Sequence, residues 1–170
     1  MKLHPLFLSS AACLLVGGLS LAAAPTALAG SARPNGSFLS VSLPGAPSDE
    51  SGVRDTIVGD IHHHTLSSDS GDAELSISAS VLPGAATTLT TEDMLYRKAR
   101  RELVANYGGS VNGWGECEHA GHECRKLRYS TNDGRKGMAR LYISDDVIVV
   151  VNAVYSADED KARKFLASAR

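Results

Sequence analysis

Strong chemical signatures are scarce in this chain of 170 residues. Aromatic residues make up only 5% of it, and the formal net charge is −2 at pH 7. A nucleic-acid-binding protein usually carries a basic excess clustered on one face. The one dense basic run here, from Arg97 to Arg101, falls in a predicted helix and is typical of a solvated helix face. We therefore expect no nucleic-acid partner.

Recognisable catalytic motifs are also missing. No serine stands in a Gly-x-Ser-x-Gly elbow, and no glycine-rich loop suited to phosphate is present. A Ser-His-Asp set could be drawn in many ways, so none is singled out. We predict a protein that is not an enzyme and needs no cofactor. An enzyme of unknown class is a third hypothesis, because a fold alone does not exclude activity.

The N-terminus carries the clearest signal. Lys2 is followed by an apolar stretch from residue 6 to residue 24 and then by Ala27-Leu28-Ala29 before Gly30. This order of a basic region, an apolar region and small residues is typical of a cleavable secretory signal. The sequence predicts a signal peptide over residues 1–29.

Two alternatives to signal cleavage are less consistent with the pattern. Cleavage before Cys13, as in a lipoprotein, would leave more apolar sequence on the exported side. The apolar run approaches the length of a membrane helix, but its glycines and the Ala-x-Ala ending favour cleavage. We expect a periplasmic or secreted protein with no stable membrane span after signal cleavage.

The remainder has room for one domain. Residues 30–37 have the composition of a flexible linker, and residues 38–170 are predicted to form a single domain. Apolar and small residues alternate with serine from Leu75 to Val81, which indicates a strand with one buried face. Residues 147–151 are consecutively apolar, which favours a central strand that is covered on both faces. Further strands are predicted at 39–43, 53–58, 61–66, 124–129 and 137–143, with Gly59-Asp60 as a hairpin turn.

Two helices are predicted from capping signals and apolar stripes. Thr90 with Asp93 opens the first, which Gly108 ends, and Ser156 with Glu159 opens the second near the C-terminus. Short connections between strands exclude parallel crossovers. The expected fold is α+β, with a central antiparallel sheet of about six to seven strands and two helices packed on it.

The order of elements resembles that of a known group. The segments that carry the likeness are residues 38–47, the Gly59 hairpin, the helix from Glu92, and the stretches 140–143 and 164–168. They resemble small exported bacterial proteins of the PsbP-like α/β/α sandwich group. The resemblance implies that fold and a role in binding partners without catalysis, and it carries over no functional residue.

One loop has specific chemistry. Cys117 and Cys124 flank a segment that is symmetric about Ala120-Gly121, and a two-residue turn there would place the cysteines opposite each other. Such a pair lies within bridging reach, and export favours oxidation, so we predict a Cys117–Cys124 disulfide. A redox-active or free-thiol role for these cysteines is also open.

A metal site is the sharper alternative. Two thiolates and two imidazoles, from His119 and His122, suit zinc or copper, and His62 and His64 could join them. Two functions are therefore considered: an exported domain that binds an unknown protein partner in the cell envelope, and an extracytoplasmic metal-binding protein.

Overall fold

The structure of the protein is a computed structural model, and it describes residues 30–170. The predicted signal peptide lies outside the described residues. The strands are β1 (Gly30–Ala32), β2 (Val41–Leu43), β3 (Ser48–Arg54), β4 (Ile61–Asp69), β5 (Ala73–Val81), β6 (Ser110–His119), β7 (His122–Ser130), β8 (Lys136–Ser144) and β9 (Val147–Tyr155). The helices are α1 (Gly84–Leu89), α2 (Glu92–Asn106) and α3 (Glu159–Ala167).

A seven-stranded sheet forms the centre of the domain, with the strand order β3-β4-β5-β9-β8-β7-β6 and antiparallel pairing throughout. Helix α3 and the small β1-β2 sheet cover one side, which we call the α3 face. Helices α1 and α2 lie on the other side, the α2 face. The predicted antiparallel α+β architecture is confirmed.

Alternation along the strands builds the two cores. In β5, Leu75 and Ile77 are buried on the α3 face, while the alternate serines, such as Ser78, point to the α2 face. Strand β9 is covered on both sides, as its apolar run predicts: Val149 and Val151 belong to the core of the α3 face and Val154 to that of the α2 face.

Both predicted helices are present, but their caps differ from the prediction. The side chain that caps α2 is Thr91, which accepts from the backbone N–H of Met94, and α3 is capped by Asp158, which accepts from Lys161. The third helix, α1, buries none of its residues and therefore has no apolar stripe to reveal it. None of the helices between residues 30 and 170 is long and apolar enough to cross a membrane.

Residues 30–37, expected as a flexible linker, are held against the domain in the structure. Gly30 to Ala32 form β1, which pairs with β2, and Ala32, Pro34 and Ser37 are buried. The Arg33 Nε–H group donates to the Ser37 carbonyl at 2.7 Å. Composition suggested a linker because the segment has few apolar side chains, but β2 offers it backbone partners.

Two strand predictions are corrected. The strand expected at residues 53–58 lies at Ser48–Arg54, so the β3–β4 connection spans residues 55–60 and not only Gly59-Asp60. The segment around Trp114, for which no strand was predicted, belongs to the edge strand β6. Both strands are at sheet edges, where exposure on both faces removes the alternation that marks a half-buried strand.

A polar network, buried at Tyr129 and Asn152 and half-buried at Tyr107 and Glu74, joins strands β5, β7 and β9 to the C-terminal end of α2. The Tyr129 hydroxyl donates to Asn152 Oδ1 at 2.8 Å, and the Asn152 amide donates to the Tyr107 hydroxyl at 3.3 Å. The Tyr107 hydroxyl in turn donates to Glu74 Oε1 at 2.7 Å. Burial, then the Glu74 carboxylate, raises the pKa of Tyr107.

Candidate functional site

The β6–β7 hairpin carries the cysteines. Ala120 and Gly121 form its tip with φ values of 55° and 77°, the left-handed conformation that a two-residue type I′ turn requires. This turn sets Cys117 opposite Cys124 with 4.9 Å between their Cα atoms, and the two sulfurs are bonded. The thiols are therefore not free to bind a metal ion in this structure.

The two histidines of this hairpin project onto the α3 face and pack against neighbouring rings. His119 Nδ1 lies 3.2 Å from the Tyr142 hydroxyl, and the His122 ring centroid lies 4.9 Å from that of Phe38. Burial, then the nearby Arg140 guanidinium, lowers the pKa of His119. Both imidazoles are partly buried packing groups.

The histidines of β4 divide between the two faces. His64 is buried on the α3 face, where Nδ1 accepts from the Asn35 N–H at 2.6 Å and Nε2 lies 2.7 Å from Asp49 Oδ1. Both ring nitrogens are thus occupied, in the neutral tautomer that carries its proton on Nε2. His62 is exposed on the same face, and His63 points to the α2 face.

The structure does not bring the histidines proposed as metal ligands together. His62 and His64 are on β4, whereas His119 and His122 are at the tip of the β6–β7 hairpin, and strands β5, β9 and β8 separate the two sites. Within residues 30–170, no group of three or more His, Cys, Asp or Glu side chains is placed to hold a metal ion.

A groove of about 640 Å³ lies on the α2 face, between α1 and α2 on one side and strands β3 to β5 on the other. Two apolar side chains at its rim are strongly exposed. Ile57 on the β3–β4 connection is fully exposed, and the Leu89 side chain at the end of α1 is 75% exposed. Arg54 and Glu102 also line it and form an ion pair at 3.6 Å between the end of β3 and α2. Its volume is in the range of ligand pockets.

The floor of this groove combines hydroxyl groups with the apolar side chains of Ile61, Ile148 and Val150. Thr65 from β4 and Ser78 and Ser80 from β5 present half-buried hydroxyl groups to it. His63 also lines the floor and is the cross-strand partner of Ser80. A Cβ added at Gly52 would lie 2.5 Å from His63 Cε1, so the imidazole rests on β3, on the side of β4 that is away from Ser80. The two groups are thus not arranged as a nucleophile and its base.

The sequence did not reveal this groove. Its rim comes from α1 and from the β3–β4 connection, and two of its floor hydroxyls, those of Ser78 and Ser80, belong to the serines that marked β5 as a half-buried strand. Period-two alternation shows which side chains point away from one core, but it does not show that helices leave this side of the sheet partly open.

Comparisons with known proteins bear on the fold. No protein-family model matches the chain, and the search of curated proteins finds no similar sequence. The solution structure of cyanobacterial PsbP (CyanoP) from Synechocystis sp. PCC 6803 superposes with a TM-score of 0.55 and 13% identity, over 94% of this chain and 97% of that chain. A protein of unknown function from Pseudomonas aeruginosa has 13% identity over 63% of this chain and 83% of its own, with a TM-score of 0.36, which is too low to indicate a shared fold.

The architecture described above and the superposition on almost the whole of CyanoP agree. The resemblance to the PsbP-like group noted in the sequence is confirmed at the level of structure: this chain has the PsbP-like α+β fold.

Proposed function

We propose that this protein is an exported, non-catalytic domain that binds a segment of a protein partner in the cell envelope through the groove on the α2 face. The observation that carries the proposal is the combination of an exposed apolar rim, Ile57 and Leu89, with a floor that holds hydroxyl groups among apolar side chains. Large apolar side chains exposed beside a concave surface are typical of interaction sites.

The chemistry of the groove suits a polypeptide. A bound segment carries backbone N–H and C=O groups that must keep hydrogen-bond partners when they leave water, and the hydroxyls of Thr65, Ser78 and Ser80 both donate and accept. Its apolar side chains would be anchored against Ile57 and Leu89. The separated His63 and Ser80 support binding without catalysis.

The proposed location outside the cytoplasm rests on two features of the chain. The order of residues in the segment 1–29 is that of a secretory signal. The bonded cysteines at the β6–β7 tip are compatible with an oxidising compartment. The likeness to the PsbP-like group supports a role in binding without catalysis by analogy of fold.

Selection from a peptide display library tests the groove. We expect selection on the folded domain to yield peptides with a shared motif that contains apolar side chains. The double variant Ile57→Asp/Leu89→Asp should bind these peptides at least about tenfold more weakly, because charges would replace the apolar rim.

The matched control is Val111→Asp, the same type of change at an exposed apolar residue of the opposite sheet edge, and it should leave the affinity unchanged. All three positions are exposed, so thermal unfolding should show that the variants remain folded. Selection without any shared motif, or peptides that bind the double variant as tightly as the parent protein, would count against the proposal.

A further inference from the structure

A second cleft, of about 680 Å³, lies on the α3 face between α3 and strands β6 to β8. Four basic side chains line it: Lys126 and Arg128 from β7, Arg140 from β8 and Arg163 from α3. None of the residues between 30 and 170 that line this cleft is acidic. This concentration of positive charge contrasts with the net negative charge of the chain.

The basic residues of the cleft are only partly neutralised. Glu159 on α3 pairs with Arg163 at 2.5 Å and with Arg128 at 3.7 Å. Lys126 and Arg140 are direct cross-strand partners, and like charges in that position destabilise a sheet. Arg140 donates to the Leu166 carbonyl at 2.8 Å, near the C-terminal end of α3. Because a carbonyl carries no net charge, this hydrogen bond does not neutralise the Arg140 guanidinium. An anion bound here would relieve the repulsion.

The edge strand beside these residues has an unpaired outer side in the described part of the chain. Strand β6 is outermost, and no other strand of residues 30–170 pairs with its outer side. Opposite Lys126 and Arg128, β6 carries Gly115 and Gly113. A Cβ at Gly115 would lie 3.4 Å from Lys126 Cε, so the lysine side chain already leans over β6 towards the open edge.

The same strand has a different character on its other face. Glu116 points to the α2 face and pairs there with Arg125 at 3.3 Å. The Cys117–Cys124 disulfide joins β6 to β7 at the end of the cleft and fixes the edge in position. A strand added to β6 would therefore meet positive charge on one face only.

We propose that an extended acidic segment of a partner protein adds to the free edge of β6, with its carboxylates placed over Gly113 and Gly115 beside Lys126 and Arg128. Backbone hydrogen bonds to an exposed edge provide affinity, and alternate side chains provide specificity. This site is separate from the groove on the α2 face, so the protein can bind a ligand at either site independently of the other.

Fluorescence anisotropy with a labelled ten-residue peptide of alternating Glu and Thr tests the proposal on the folded domain. We expect saturable binding that weakens as salt is added, because the contacts are exposed ion pairs. Lys126→Glu should weaken binding at least about tenfold. Lys98→Glu, the same change on α2 at the other face, should not weaken it. Equal affinity of the two variants would overturn the assignment of the site.

Two further probes separate strand addition from simple attraction of anions. Two N-methylated versions of the peptide, one methylated at the odd and one at the even residues, keep the charge but lose every second backbone N–H donor. Whichever register the added strand adopts, one of the two versions lacks the donors that face β6. At least one of the N-methylated peptides should bind much more weakly than the parent peptide.

Undiminished binding of both N-methylated peptides would overturn strand addition. Tighter binding of inorganic polyphosphate than of the peptide would overturn an acidic polypeptide as the occupant. The Ile57→Asp/Leu89→Asp variant should bind the acidic peptide normally, so failure at one site is distinguishable from failure at the other.

Discussion

Removal of a single hydroxyl group from Tyr129 should measurably destabilise the protein. In the Tyr129→Phe variant, Asn152 Oδ1 loses the donor that lies 2.8 Å away. The two residues are 1% and 2% exposed, so water has no ready access to replace it. A buried acceptor without a partner costs about 1 to 3 kcal/mol, and we expect the free energy of unfolding to fall by about 2 kcal/mol. For a domain of this size, that corresponds to a decrease in Tm of roughly 4 to 8 °C.

Urea unfolding followed by the fluorescence of Trp114 measures this loss. Trp114 is the only tryptophan of the chain and packs against the core of the α2 face, so its emission reports on the region that contains the network. Circular dichroism of the same samples checks that the transition is two-state.

A double-mutant cycle identifies the cause. In Tyr129→Phe/Asn152→Leu both polar partners become apolar, so no orphaned acceptor remains between them. We expect the double variant to lose at least about 1 kcal/mol less than the sum of the two single variants. Strict additivity, or a Tyr129→Phe variant as stable as the parent protein, would refute the reasoning.

Three other variants test further features of the structure. A Cβ at Gly137 would overlap the Tyr129 ring, so Gly137→Ala should lower the free energy of unfolding by about 2 kcal/mol; an unchanged Tm would contradict that packing. Cys117→Ser/Cys124→Ser should cost about 2 kcal/mol, because the disulfide closes a short loop, and should leave the far-UV circular dichroism spectrum intact; loss of the sheet signal would contradict a local role. Hydrogen bonds from Thr131 and then from Arg135 lower the pKa of Asp133 to about 2. Its carboxylate therefore stabilises the fold above its ordinary pKa, and this contribution is lost as the pH falls from about 4 towards 2. Asp133→Asn should flatten the stability profile in that window, and an unchanged acid-unfolding curve would contradict the assignment.

The parts of the fold that sequence patterns predict are those with a buried face. Strand β5 alternates because one side packs on the α3 core, and β9 is apolar from Val147 to Val151 because both its sides are covered. The register that pairs Cys117 with Cys124 follows from a two-residue turn, which local sequence specifies well.

The elements that escaped prediction lack such a face. Strand β3 is exposed along nearly its whole length, and α1 buries no residue, so neither has a periodic pattern. In β6, glycines and a register shift between Val111 and Gly113 obscure the strand. The true caps lie one residue from Thr90 and two from Ser156, because several neighbouring polar residues can serve as a cap.

The two clefts could not be predicted for a different reason. Lys126, Arg140 and Arg163 are distant in sequence, and each by itself has the character of an ordinary solvated charge. Only the pairing of β7 with β8 and the position of α3 bring them to one surface. The same holds for Ile57 and Leu89, which meet at the groove through the packing of α1 beside the β3–β4 connection.

Capture of a polypeptide segment by the groove on the α2 face is the basis of the proposed function. The most direct measurement is the affinity of a display-selected peptide for the parent domain, for Ile57→Asp/Leu89→Asp and for Val111→Asp, determined by titration calorimetry. We expect the rim variant to bind at least about tenfold more weakly than the parent and the control to bind equally well. Equal affinity for all three proteins would contradict the claim.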